Sequence, residues 1–185
     1  MQGSLNGATV AFLVANEGVE QVELTRPWQA VEEAGGRPLL VAPEDGTVQA
    51  FNHLDKGDTF SVDMTTADVV GQQLNGIVLP GGVANPDQLR MDSAALELVK
   101  KHLGAGRPLA AICHGPWVLV EAGEVQGRTL TSWPSLQTDI RNAGGNWIDS
   151  EVCVDGPLIT SRGPQDLDTF CAELVGALSR TNVNA

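Results

Sequence analysis

The chain has 185 residues, 42% of them hydrophobic and 18% charged, a composition that fits one folded domain with a real core and not a disordered tail. Lys and Arg number 11 against 23 Asp and Glu; the formal charge of -12 counts against nucleic acid and anionic membrane, polyanions that select basic surfaces. With three His and three Cys in all, imidazole chemistry falls to His53, His102 or His114, while the scattered Cys113, Cys153 and Cys171 suit neither a disulfide framework nor a zinc site.

In chain order, Met1–Gly7 is polar and lacks the basic, apolar and cleavage regions of a signal peptide, so a reducing cytoplasm is the expected compartment. The continuous apolar runs Thr9–Ala15, Pro38–Ala42, Gly76–Pro80 and Pro108–Cys113 read as strands covered on both faces. Val19–Ala34 reads as a helix with Val22, Trp28, Val31 and Ala34 on one face, closed by Gly35-Gly36. Pro27 inside it predicts a kink or a late start. Glu44–Asp63 alternates and reads as a small β-hairpin excursion. Asp92–Leu103 carries Ala95, Leu96, Val99 and Leu103 at helical spacing behind an Asp92 or Ser93 cap, and its His102, beside Lys100 and Lys101, is expected on a solvated helix end. Trp147–Val154 and Pro157–Ser161 flank Asp155-Gly156, a strong hairpin signal. A last helix runs from Ser161 or Gly163 to Arg180, with Leu167, Phe170, Leu174 and Leu178 on one stripe. Strands alternating with helices, without repeats or linkers, predict a single α/β domain over residues 1–185 with a mostly parallel sheet.

Three segments carry chemistry. In Pro108–Trp117 an apolar strand runs into Cys113, then His114, Gly115 and Pro116, and a helix-compatible stretch, Trp117–Ala122, follows. A nucleophile elbow needs small residues two before and two after the nucleophile, and Ala111 and Gly115 supply them. Such a turn sets Cys113 at a helix N-terminus, which favours thiolate, and permits the His114 ring to bend back, the condition for it to serve as a base. Cys153 and Cys171 read as small core hydrophobes, and His53 as part of the polar hairpin. The second segment, Val78–Asp87, ends a strand in Gly81-Gly82, whose N–H groups at the carboxyl edge of the sheet offer half of an oxyanion hole or serve a simple turn. The third is Glu20 and Glu23, at the same edge after the first strand, from which one carboxylate can reach a thiol on a neighbouring strand. No GxGxxG or Walker sequence occurs, Gly104-Ala105-Gly106 precedes a strand, and nucleotide binding is not expected.

Together these residues resemble the PfpI family of intracellular cysteine proteases within the ThiJ/PfpI superfamily, nearly end to end. The segments Asn16–Leu24, Leu79–Gly82, Ala111–Pro116, Thr131–Pro134, Asn142–Gly144 and Ser161-Arg162 carry the likeness in order. The resemblance implies a flavodoxin-like three-layer sandwich, a homodimer or higher oligomer, and no cofactor or metal. It implies Cys113 as nucleophile, His114 as its partner, Glu23 hydrogen-bonded to the thiol, and an acid from a neighbouring subunit on the His; by position that acid is Asp87. The loop Val83–Asp87 is about one residue longer than the usual form, and its acid is Asp, with a shorter reach than Glu. The chemistry implied is a stress-response cysteine hydrolase attacking carbonyl carbons, by deglycation of glyoxal or methylglyoxal adducts, peptide hydrolysis or a glyoxalase reaction. The alternative is a redox sensor or protective protein in which Cys113 is oxidised. A flavin carrier on the same fold predicts a yellow protein. Glutamine amidotransferases share the elbow but need a His well downstream of the Cys, and none follows His114.

Overall fold

The chain runs β1 (Thr9–Leu13), β2 (Glu17–Glu20), α1 (Gln21–Glu33), β3 (Arg37–Ala42), β4 (Thr47–Asn52), β5 (Asp55–Ser61), β6 (Met64–Thr65), α2 (Thr66–Val69), β7 (Gly76–Leu79), α3 (Ala84–Leu89) and α4 (Ser93–Gly104). It continues through β8 (Leu109–Ile112), α5 (Pro116–Ala122), β9 (Thr129–Leu130), α6 (Gln137–Asn142), β10 (Asn146–Trp147), β11 (Val152–Asp155), β12 (Leu158–Ser161) and α7 (Leu167–Asn182). The structure, a computed structural model, describes residues 4–182; the first three residues of the polar N-terminal stretch and the last three of the chain lie outside it.

Seven strands make the central sheet in the order β11-β12-β8-β7-β1-β3-β6, and only β11 is antiparallel to its neighbour. Alternation along β1 shows why the runs are apolar throughout: Val10 and Phe12 enter one core, Ala11 and Leu13 the other. On the first face α1 and α7 cover the sheet; the expected stripe Leu167, Phe170, Leu174 and Leu178 is buried there, each side chain stabilising the fold by roughly 1.5–3 kcal/mol. On the other face α2, α4, α5 and α6 bury Val69, Val99, Leu119 and Ile140. This is the expected three-layer α/β sandwich. The excursion over Glu44–Asp63 forms as a hairpin, β4 against β5, with β2 added in parallel as a third strand.

Several expectations need correction. Val19 and Glu20, expected at a helix start, belong to strand β2, because Gly18 at φ +96 and the extended Glu20 break the helical path before Gln21. Pro27 lies inside α1, which starts at Gln21, so the helix does not wait for the proline as a late start would require. β1 stops at Leu13 because the Ala15 N–H is diverted to the Asn85 side chain, 2.7 Å away. The strand expected over Trp147–Val154 is two pieces: β10 pairs with β9 in a separate ribbon, and only β11 belongs to the hairpin with β12. His102 is not solvated. It is 4% exposed, its Nε2 3.0 Å from the Pro108 carbonyl, because the last turn of α4 folds onto the start of β8. Among the described residues no helix is long and apolar enough to cross a membrane.

Candidate active site

The strands β8, β7 and β1 are neighbours, so the three segments that follow them meet at one edge of the sheet. After β8, Cys113 adopts φ +61, a left-handed conformation that costs about 1–3 kcal/mol in a residue with a side chain. Its backbone is tied on both sides: its N–H donates to Ser161 O at 3.1 Å, and its carbonyl accepts the Trp133 N–H at 2.9 Å. A Cβ on Gly115 would lie 2.4 Å from the Leu79 carbonyl, so only glycine fits two residues past the cysteine. Pro116 then opens α5. The elbow is real.

His114 bends back as the elbow permits, its Nδ1 3.2 Å from the Cys113 sulfur. Its Nε2 lies 3.4 Å from Ser135 Oγ, the Trp133 ring stacks on it at 6.0 Å, and Trp117 meets it edge-on at 5.2 Å. Burial lowers the His114 pKa, which keeps the imidazole neutral near pH 7. Ser135, Trp133 and Trp117 are site residues that sequence reasoning missed. Trp117 follows His114 at the i, i+3 spacing of the helix that the elbow opens, whereas no spacing rule connects Trp133 or Ser135 to Cys113; their segment is tied to the elbow by the Trp133 N–H on its carbonyl.

From the first turn of α1, Glu23 is fully buried, and its Oε2 accepts the Gly81 N–H at 2.8 Å. A Cβ on Gly81 would fall 2.3 Å from that oxygen and 3.0 Å from the Cys113 sulfur, so carboxyl, glycine and thiol share one tight space. Glu23 Oε1 has no hydrogen-bond partner among the described residues. Burial pushes the Glu23 pKa up to about 8, against the pull of the Gly81 N–H. At neutral pH its carboxyl therefore keeps a proton, which it can offer to sulfur. The thiol is pushed up by burial too, and an ionised Glu23 pushes it further; the backbone N–H groups of Gly82 and His114 pull it down. The helix terminus alone does not decide in favour of thiolate. A protonated Glu23 and the two N–H groups are what can.

Gly82, at φ +82, would place a Cβ 2.2 Å from the Gly18 carbonyl. Asp87 is exposed on α3, and among the described residues its carboxylate makes no hydrogen bond or ion pair. It lines the mouth of a cavity of about 780 Å³ that has Cys113 and His114 among its walls. Phe51 and Leu54 from the β4–β5 hairpin and Trp133 give that cavity apolar walls, and Glu17, Glu20 and Asp87 are its acids beside the buried Glu23; no Lys or Arg lines it. His53, read as part of a polar hairpin, sits at this mouth with its N–H on Glu20 Oε2 at 3.1 Å. Cys153 and Cys171 are buried elsewhere, as expected. Among the described residues no group of three His, Cys, Asp or Glu side chains is placed to hold a metal ion.

The profile of the DJ-1/PfpI family matches residues 8–177. A deglycase of Pyrococcus horikoshii is 39% identical over 169 residues, 91% of this chain and 98% of its own length. The deglycase PfpI of Pyrococcus furiosus is 38% identical, over 91% of this chain and 98% of its own length. A Bacillus subtilis protein that bears a provisional cysteine-protease name is 35% identical, over 91% and 97%. Among solved structures, Drosophila melanogaster DJ-1beta superposes with a TM-score of 0.85 at 26% identity, covering 96% of this chain and 94% of its own.

Proposed function

This chain belongs to the DJ-1/PfpI family, and on that premise we propose that it is a cysteine hydrolase of stress protection that removes glyoxal- and methylglyoxal-type carbonyl adducts from small substrates or proteins. The observation that carries the reading is Cys113: a strained, buried thiol facing a cavity, with a neutral imidazole at 3.2 Å and a protonated carboxyl beside it. In the proposed step the Cys113 sulfur bonds to the carbonyl carbon, and the carbonyl π pair moves to oxygen as an oxyanion. The Gly82 and His114 N–H groups that face the sulfur lie within reach of that oxyanion. His114 Nδ1 takes the thiol proton and delivers it to the amine that leaves as the oxyanion collapses, water then releases the acyl fragment from sulfur and restores the thiol, and Glu23 holds its own proton toward sulfur. Gly81 leaves room for the Glu23 carboxyl against Cys113, where any Cβ would collide, and Gly82 lines the cavity on the substrate side. In a homodimer or higher oligomer, Asp87 of a second copy orients His114 from Nε2, the side that Ser135 faces within one protomer. Cleavage of short peptides is the same chemistry on a harder carbonyl.

The test is turnover of methylglyoxal-treated amino acids and of a fluorogenic peptide. Cys113→Ser is expected to lose at least about a thousandfold, in the range seen when a nucleophile is removed. Equal rates in both proteins overturn the proposal. The orphaned Glu23 Oε1 favours a second reading, in which peroxide oxidises Cys113 to a sulfinate held by the Glu23 proton. Mass spectrometry then finds two added oxygens on Cys113 before Cys153 or Cys171 change.

A further inference from the structure

Asn85 is a fully buried amide in the first turn of α3. All its strong positions are used. Oδ1 accepts the Ala15 N–H at 2.7 Å, and Nδ2 donates to the Pro80 and Gly81 carbonyls, both at 3.0 Å. The network settles which way the amide points, since a flipped amide would set Nδ2 against the Ala15 N–H and Oδ1 against two carbonyls.

Those two carbonyls matter because of what lies across their peptide planes. A trans peptide unit carries its C=O and the following N–H on opposite sides. The Pro80 carbonyl shares its plane with the Gly81 N–H, and that N–H donates to Glu23 Oε2 at 2.8 Å. The Gly81 carbonyl shares its plane with the Gly82 N–H, one of the two backbone N–H groups that lower the pKa of the Cys113 thiol. One side-chain NH2 thus pins, from behind, both peptide units that face the reacting group. Glycine leaves such planes free to rotate, and neither Gly81 nor Gly82 accepts a Cβ, so the rigidity has to come from outside the turn. The Glu20 N–H, at 3.2 Å from the Gly81 carbonyl, is a longer second tether on one of the two. Donation to a carbonyl also polarises the N–H of the same unit and makes it a better donor to an anion.

We infer that Asn85 is a positioning residue of the Cys113 centre, orienting and polarising the Gly81 and Gly82 N–H groups that hold Glu23 and the sulfur. It touches neither substrate nor sulfur. The inference rests on the proposed function only in taking Cys113 as the reacting group, and its readout is thiol ionisation, not turnover; a protein that proves unable to deglycate leaves it standing.

The experiment follows Cys113 alkylation by iodoacetamide against pH, with Cys153 and Cys171 replaced by Ala throughout. Asn85→Asp keeps size and the acceptor for Ala15 while removing both donors, and Asn85→Ala removes everything. Val99→Ala, on the far face of the sheet, supplies a control with comparable destabilisation. Both Asn85 variants are expected to raise the alkylation midpoint by about one pH unit, a roughly tenfold slower reaction at pH 7, while Val99→Ala leaves the midpoint unchanged. A folded Asn85 variant with the unaltered midpoint overturns the inference, as does an equal shift in Val99→Ala. If neither Asn85 variant folds, the side-chain amide protons of Asn85 are followed by NMR in the protein with Asn85 intact. They are expected to shift with the midpoint of Cys113 alkylation; resonances flat across that midpoint overturn the inference.

Discussion

Glu23 shows how one carboxyl serves the site and weakens the fold. An acid whose folded pKa lies near 8 and whose unfolded value is near 4.5 binds its proton more tightly when folded. The unfolded chain therefore gains from ionisation first, and stability is lost as pH rises from 4.5 toward 8. Glu23→Gln keeps an acceptor for the Gly81 N–H and removes the titration. It is expected to unfold at higher temperature than wild type at pH 7, by on the order of 3 kcal/mol, with the gap closing near pH 4. Thermal melts at the two pH values check this, and a gap that does not narrow on acidification refutes it. The reactive side of the exchange is read by alkylation. Glu23→Leu withdraws a hydrogen bond from the anion, and the Cys113 midpoint should rise by about one to two units. Glu23→Gln, a weaker donor, should fall between. Cys113 was readable from sequence because an elbow demands small neighbours on a short spacing. The proton on Glu23 was not, since it depends on burial beneath a loop from another strand.

Among the elements, β2 and α3 depend on one contact. A Cβ on Gly18 would meet the Ala84 Cβ at 2.6 Å and the Asn85 nitrogen at 2.8 Å, in a residue already at φ +96. Gly18→Ala should therefore cost about 2–4 kcal/mol, seen as a lower urea midpoint with an unchanged slope. It should also slow Cys113 alkylation, because the same shift moves Asn85. A second test lies where α4 meets β8. His102 is buried neutral and held by the Pro108 carbonyl; burial lowers its pKa from 6.5 to about 4. A depressed imidazole gives stability that is whole above pH 6.5 and lost as pH falls through 4. The stability advantage of wild type over His102→Leu should thus shrink by about 3 kcal/mol across that window, and a constant difference would contradict the burial argument. Long elements with strong periodicity, α4 and α7, were legible in the sequence. The short α2, α3 and α6 carry too few turns to show a period, and the end of β2 looked helical because Val19 sits beside the apolar residues of α1.

For the whole molecule, the charge of -12 had excluded polyanions and said nothing of the site. The structure localises part of it: Glu17, Glu20 and Asp87 ring a cavity mouth that no Lys or Arg lines. The in-trans role proposed for Asp87 belongs to this scale. Asp87→Asn and Cys113→Ser, each inactive alone, should regain up to about a quarter of wild-type activity when unfolded and refolded together in equal amounts. Random pairing makes half the dimers mixed, and each mixed dimer has one complete site. No recovery in a mixture shown to contain mixed dimers argues that Ser135 alone orients His114.

Taken alone, the sequence determined what local pattern controls: the parallel sheet, because buried strands must be apolar on both faces; the elbow at Cys113, because its neighbours must be small; and which His lies beside the elbow sulfur. The tertiary structure decided what depends on packing between distant segments. Glu23 is protonated because α1 buries it under the turn after β7. The Gly81 and Gly82 N–H groups face inward because Asn85 holds their carbonyls from the far side. His102 left the solvent for a carbonyl on β8's approach. Each is a polar group whose state is set by what removes it from water, and no spacing along the chain encodes that.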